Sequence, residues 1–305
     1  GQIVIVELIE QPGAHSRPLG RIKEVLGEHM APGMEIRIAI ASHGIPVEWP
    51  EAVLEEAHCY GETVPESVSQ GRWDLRGTAL VTIDGITARD FDDAVYCERR
   101  GSNWRLLVAI ADVSAYVRPG MALDQEARKR GNAVYFPDRA IPMLPEALSN
   151  GLCSLKPAVD RLSLVCEMTF DSEGHMIRSR FAEAVMRSQA RLTYDTVATI
   201  VANRDPKVRA EYAKLVPHLD RLYELYQVLR LVREQRGAMD FDTLETIIEY
   251  GADRKIERIL PIERNDAHRL IEECMIMANV AAARFLQRHR IPSLYRIHEG
   301  PSEDR

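Results

Sequence analysis

Nowhere in the 305 residues does an apolar run approach the roughly 20 residues that a membrane-crossing helix needs, so no membrane span is expected. The start, Gly1-Gln2-Ile3-Val4-Ile5-Val6, lacks the basic region and cleavage site of a signal peptide and reads as a strand. Cysteines are few. Cys59, Cys97, Cys153, Cys166 and Cys274 are odd in number and never spaced as CxxC, a pattern that suits reduced thiols in a cytoplasm and excludes the usual cysteine zinc sites. Aromatic residues make up only 6%, so an aromatic inside a motif carries extra weight. Positive charge is also short: 39 Lys and Arg against 46 Asp and Glu leave a net charge of −7. That balance argues weakly against nucleic acid as a partner, because phosphate contacts normally draw on surplus Lys and Arg. The rest is ordinary. A content of 46% hydrophobic and 28% charged residues is that of a soluble globular protein, long enough for one large domain or two smaller ones.

Residues 1–10 and 34–41 alternate apolar and polar positions (Ile3, Ile5, then Ile36, Ile38, Ile40), which predicts half-buried strands. A further strand-like stretch, Leu19–Leu26, lies between the turn signals Gln11-Pro12-Gly13 and Ala31-Pro32-Gly33. Short strands so spaced predict that residues 1–45 are the C-terminal part of an OB-type β-barrel. Residues 46–75, punctuated by Pro46, Pro50, Gly61, Pro65 and Gly71, read as a linker around a short acidic helix, Glu51–Ala57. Residues 76–305 form the second domain. Its strands are predicted at Ala79–Ile83, Arg105–Ala111, Cys166–Phe170 and Ala182–Val185. Leu219, Leu222, Tyr226 and Leu229 mark a helix that Gly237 can stop. A second helix, capped by Asn265 or Asp266 and running to about Arg288, is apolar on nearly every side and is expected to be central and buried. The fold class is therefore α+β: a mixed sheet with surrounding helices and a buried central helix, preceded by the barrel remnant.

The most informative segment is Thr82-Ile83-Asp84-Gly85-Ile86-Thr87-Ala88-Arg89-Asp90-Phe91-Asp92-Asp93-Ala94. A strand delivers Asp84 at its end, and Gly85 permits a sharp turn. In an extended DFDD, Asp90 and Asp92 share one face and Asp93 takes the other. Carboxylates this close repel, raising some of their pKa values, and a divalent cation removes the cost. Oxygen-only ligation favours magnesium or manganese over zinc, and such a cluster suits phosphodiester hydrolysis. Rival readings stay open on these residues alone. A calcium loop would need alternating ligands and a later Glu that DFDDAVY lacks. A haloacid-dehalogenase-type phosphatase places its DxD directly after an apolar strand, and a DxD glycosyltransferase would leave Asp84 unused. A solvated acidic turn between two strands is the bland alternative.

TIDGITARDFDDAVY (82–96) resembles the signature of the RNB exoribonucleases. The likeness continues in family order through VAIADVSAYVRPG (108–120), GNAVYFPDRAIPMLPEALSNGLCSLKP (131–157), ARLTYDTV (190–197) and RNDAHRLIEECMIMANVAAARF (264–285). MAPGMEI (30–36) resembles the end of the cold-shock OB domain that precedes the catalytic domain in this family. The resemblance implies processive hydrolysis of single-stranded RNA from its 3′ end to nucleoside 5′-monophosphates, with Mg2+, or Mn2+ in its place, held by Asp84, Asp90, Asp92 and Asp93. Asp92 takes the place of the aspartate indispensable for catalysis. Tyr135 and Phe241 take the places of the aromatic clamp on the terminal bases, and Tyr194 and Glu272 those of the pair that favours ribose over deoxyribose.

Plainer readings accompany each of these residues: a core tyrosine for Tyr135, a loop anchor for Phe241, a salt bridge from Glu272 to Arg284 or Arg296. Asp112 reads as a turn cap, and His298 with Glu299 as surface residues. The family's catalytic domain continues past the position of Arg305 into a TSPIRRYPD-type segment, an OB domain and, in some members, a basic tail, so the chain is expected to be a fragment. A cytoplasmic monomer is expected. The competing functions are an inactive RNA-binding regulator on the same scaffold and a DxD-type phosphatase.

Overall fold

The computed structural model describes residues 1–13, 16–29, 31–238, 245–251, 255–297 and 300. Phe241, His298 and Glu299 lie outside the described residues. The elements run β1 (Gln2–Glu10), β2 (Leu19–Glu28), α1 (Met34–Ser42), α2 (Glu51–His58), α3 (Glu66–Ser69), β3 (Trp73–Leu75), β4 (Val81–Asp84), β5 (Asp93–Arg100) and β6 (Asn103–Ala111). There follow α4 (Ala122–Arg130), β7 (Val134–Tyr135), β8 (Ala140–Ile141), β9 (Asp160–Phe170), β10 (Met176–Arg187) and β11 (Ala190–Thr193). Then come α5 (Tyr194–Val201), α6 (Pro206–Glu211), α7 (Val216–Gln235), β12 (Glu245–Tyr250), β13 (Ile256–Ile262) and α8 (Asp266–Arg288). They fall into two compact units.

One unit gathers residues 1–61 and 116–149 with the β12–β13 hairpin. β1 and β2 pair antiparallel, with Val4 opposite Val25 and Val6 opposite Ile22. The expected third strand is absent: residues 34–42 form helix α1. Ile36, Ile38 and Ile40 do alternate, but Met34–Ile38 and Ile36–Ile40 are also pairs at i, i+4, and Ala39, Ala41 and a first-turn Glu35 favour the helix. The Met34 methyl lies 3.0 Å from where a Cβ on Gly27 would stand, and Gly27 has a φ of 134°, so that position needs glycine. Residues 46–75, expected as a linker, carry α2, α3 and β3. Glu56 of α2 accepts hydrogen bonds from the Ala122 and Leu123 amides, at 3.0 and 2.8 Å, and so caps α4. Arg130, at the other end of α4, stacks on Trp49 and donates to the Pro46 and Glu48 carbonyls.

The other unit is built on a seven-stranded sheet of order β11-β4-β5-β6-β9-β10-β3. The outer pairs, β11 with β4 and β10 with β3, are parallel, and the inner pairs are antiparallel. Val95 and Cys97, Trp104, Leu106 and Val108, then Cys166, Met168 and Phe170 recur at period two and place one face in the core. Leu219, Leu222 and Leu229 of α7 and Leu270 and Cys274 of α8 join the same core. Gly237, with a φ of 80°, ends the α7 segment as expected, and its amide donates to the Glu234 carbonyl. Asn265 caps α8 in a capping box with His268. The uniformly buried helix expected there is not found. Ala267, Leu270, Ile271, Glu273, Cys274 and Ala281 are buried, while Ile276, Met277, Val280 and Phe285 are only half-buried. Buried Glu273 is satisfied by Arg233 at 2.8 Å. All five cysteines are free thiols, Cys59 exposed and the others buried.

Candidate functional site

The aspartates owe their placement to the sheet. β4 ends at Asp84, its antiparallel neighbour β5 begins at Asp93, and residues 85–92 turn between the two ends. Arg191 of β11 donates from Nη2 to the Gly85 and Ile86 carbonyls, at 2.8 and 2.6 Å, and holds the start of that turn. Its far end is pinned around Phe91, which is buried. The Phe91 amide donates to Ser154 Oγ at 3.0 Å, and the Phe91 carbonyl accepts from the Leu155 amide at 2.8 Å. Ser154 Oγ donates in turn to the Arg89 carbonyl at 2.9 Å, and Ala111 donates to the Asp92 carbonyl at 2.8 Å. With Phe91 turned inward, Asp92 is exposed, and Asp90 and Asp93 are half-buried.

The four carboxylates feel one another. Burial, reinforced by Asp90 and Asp92, pushes Asp84 up to about 6, although Arg191 and the Gly85 amide oppose the change. Burial with Asp84 and Asp92 pushes Asp93 up to about 7. Asp92 opens to solvent on one side, yet the protein packed around its other sides raises its carboxyl, and Asp90 adds to the effect. Asp93 Oδ2 is buried without a hydrogen-bond partner, a costly arrangement for a carboxylate. Among the described residues, no three His, Cys, Asp or Glu side chains form a ready-made ligand set for one ion. The donors fit a hard divalent cation by chemistry (oxygen only, mutually repelling, one oxygen orphaned), while the side chains as they lie are not gathered on a point.

Tyr194 reaches this cluster because Thr193 pairs with Asp84 across β11 and β4, and Tyr194 follows as the first residue of α5. Burial, then Asp84 and Asp93, push its phenol up to about 12. Its ring stacks on His268 of α8 with centroids 3.9 Å apart. Asn265, beside it, donates to Asp195 Oδ1 at 3.0 Å and ties the starts of α5 and α8 together. Glu272 follows His268 by one turn on the same side of α8. Its ionic partners are Arg264 at 2.6 Å and Arg233 at 3.8 Å, in place of the expected Arg284 or Arg296.

Tyr135 belongs to the other unit, on the two-residue strand β7 opposite Ala140. It is 68% exposed, so it is no core tyrosine. Asp112 accepts from Ser114 Oγ in the following turn, as expected, and also pairs with Arg72 at 2.8 Å in a buried ion pair that the sequence did not reveal. A cavity of about 430 Å3 in the first unit, lined by Trp49, Leu54, Arg130 and Pro145 among others, contains none of the candidate residues. Sequence reasoning missed Arg191, Ser154 and His268. Each lies inside a block of the family resemblance, ARLTYDTV, GLCSLKP or RNDAHRL, and that was the available signal.

An RNB domain model matches residues 72–305, and a cold shock domain model matches residues 1–50. The chain is 55% identical over 306 aligned residues to the ribonuclease R of Vibrio cholerae, covering 100% of this chain and 37% of that protein. The apo form of Mycoplasma genitalium RNase R superposes with a TM-score of 0.90 at 30% identity, over 99% of this chain and 47% of the other. The same enzyme in complex with ribose methylated single-stranded RNA gives a TM-score of 0.85 at 31% identity, over 94% and 44%. The chain thus spans less than half the length of each of these relatives. With the RNB match extending from Arg72 to the last residue, this chain belongs to the RNB family.

Proposed function

We propose that the intact protein is a magnesium-dependent exoribonuclease that degrades single-stranded RNA processively from the 3′ end to nucleoside 5′-monophosphates. The observation that carries this reading is the placing of four aspartates at the facing ends of β4 and β5 and in the turn that joins them, in a chain of the RNB family. RNA as the partner is supported by the Mycoplasma genitalium relative in complex with single-stranded RNA. A cytoplasmic monomer is part of the same proposal.

Asp84, Asp90, Asp92 and Asp93 would hold the cation, Mg2+ or Mn2+. Bound there, it supplies positive charge at the scissile phosphodiester and lowers the pKa of the attacking water. Asp92, open to solvent, is the carboxylate that can take up the proton released as water attacks phosphorus, while the bond from phosphorus to the 3′-oxygen of the preceding nucleotide breaks and that oxygen leaves as a hydroxyl after gaining a proton from solvent. Tyr194, with its phenol held near 12, stays protonated at neutral pH and can donate to a ribose 2′-hydroxyl, the group that distinguishes RNA from DNA. The stack on His268 fixes the ring from which it donates. Glu272, oriented by Arg264, offers an acceptor on the same side of α8. Exposed Tyr135 offers a face for base stacking, worth ~1–3 kcal/mol per base and indifferent to sequence, and Phe241 is its proposed partner.

The test is digestion of 5′-labelled oligo(A) by the intact protein with Mg2+, beside an EDTA control. The expected result is conversion of full-length RNA to a short end product without a ladder of intermediates, abolished by EDTA. RNA that is bound but never shortened would support the inactive regulator. Release of phosphate from a chromogenic monoester, with RNA untouched, would support the phosphatase.

A further inference from the structure

We propose that Ser154 is a positioning residue that sets the geometry of the aspartate loop from outside it, an inference that rests on the metal-site reading above. Ser154 is 0% exposed and precedes β9, more than sixty residues from the loop in sequence. Its hydroxyl serves both sides of Asp90: it accepts the Phe91 amide at 3.0 Å and donates to the Arg89 carbonyl at 2.9 Å. The next amide, Leu155, donates to the Phe91 carbonyl at 2.8 Å. The Ser154 carbonyl is itself held by Arg161 Nε at 2.9 Å, and Arg161 is buried, so the clamp is anchored in the sheet rather than in another loop.

The consequence follows from chain geometry. Asp90 and Asp92 flank Phe91, and both peptide groups of Phe91 are now fixed against residues 154–155. The roots of two proposed ligands are thereby set on the side away from the buried ring, before any ion arrives. An alanine at 154 would leave the Phe91 amide and the Arg89 carbonyl without this partner, and each would seek water or another bond by moving the loop. Groups that orient metal ligands without touching the metal typically set affinity by roughly 10–100-fold.

The test uses the intact protein, Mn2+ as the probe, and electron paramagnetic resonance to count free ion. The Asp92→Asn variant defines the share of binding that belongs to this site. Ser154→Ala is expected to raise the Mn2+ dissociation constant of that share by about 10–100-fold at a temperature well below its melting point. A lower melting temperature with wild-type Mn2+ affinity would reduce Ser154 to a purely structural role and overturn the proposal. If the wild type shows no Mn2+ binding that Asp92→Asn removes, the metal-site reading itself fails, and this inference fails with it. Should Ser154→Ala not fold, amide hydrogen exchange of the wild type in EDTA decides. Protection of the Phe91 amide supports the clamp, and exchange at the rate of an open loop contradicts it.

Discussion

Replacing Asp92 with asparagine is expected to lower RNA hydrolysis by the intact protein by at least ~10³-fold, the scale of a lost general base, compounded by weakened cation binding. RNA affinity should hold or rise slightly, because binding to the backbone is governed by phosphate charge and the change removes one negative charge. The fold gives no reason for collapse. The Asp92 side chain faces solvent, and the bond from the Ala111 amide goes to its backbone carbonyl, which asparagine keeps. Asparagine preserves shape but can neither accept the proton nor balance the ion's charge. Single-turnover rates with saturating enzyme, together with filter binding, separate the two effects. Wild-type hydrolysis in the variant would reject the assignment of Asp92.

The second large effect concerns stability and runs against the usual sense of removing a functional residue. Asp93 has a folded pKa of about 7 against an ordinary value of 3.8, so the folded chain holds this proton more tightly than the unfolded chain does. The linkage sign is then fixed. Stability associated with this group is full below about pH 4 and is lost as pH rises through about 7. Asp93→Asn cannot ionise and escapes that loss. In EDTA, the stability of the variant relative to wild type should therefore rise between pH 4.5 and pH 8, by on the order of 3–4 kcal/mol at most. Asp84, raised to about 6, acts in the same direction in the wild type, so the two groups share part of the effect. Asp74, held at about 2 mainly by its hydrogen bond from Arg76, has the opposite sign, and its window lies below pH 4. Urea unfolding of both chains at the two pH values gives the answer, and a difference that does not change with pH contradicts it. Saturating Mg2+ should cancel much of the wild-type deficit, since an ion bound only to the folded state stabilises it by mass action.

What the sequence revealed, and what it did not, follows from the range of each interaction. The strands at 103–111 and 160–170 were legible in part, at Arg105–Ala111 and Cys166–Phe170, because a short run of mostly apolar residues marks a strand buried over most of its length. The α8 start was legible because Asn265 offers a local cap. α1 was misread because Met34-Glu35-Ile36-Arg37-Ile38-Ala39-Ile40 satisfies both a strand alternation and helical i, i+4 pairs, and periodicity alone cannot choose between them. The aspartates announced themselves by spacing. Their supports could not, since Arg191 and Ser154 act on backbone carbonyls and an amide at distances of 105 and 63 residues in sequence, and a lone arginine or serine carries no pattern. The same holds for Glu272, whose partner Arg264 sits two turns back and just outside the helix, where the side chain can fold over the N-terminus. Carboxylates crowded at adjacent strand ends are a consequence of topology that no local window displays.

Hydrolysis at this site requires one event, the joining of these carboxylates around a single kind of ion. Crystals of the protein soaked in Mn2+, at a concentration that supports RNA hydrolysis, allow the ion to be located by its anomalous scattering. A peak is expected within about 2.0–2.3 Å of carboxylate oxygens from Asp92 and at least one of Asp84, Asp90 and Asp93, the range for a small oxygen-bound divalent cation. Anomalous density elsewhere, with these four side chains still apart, would contradict this expectation.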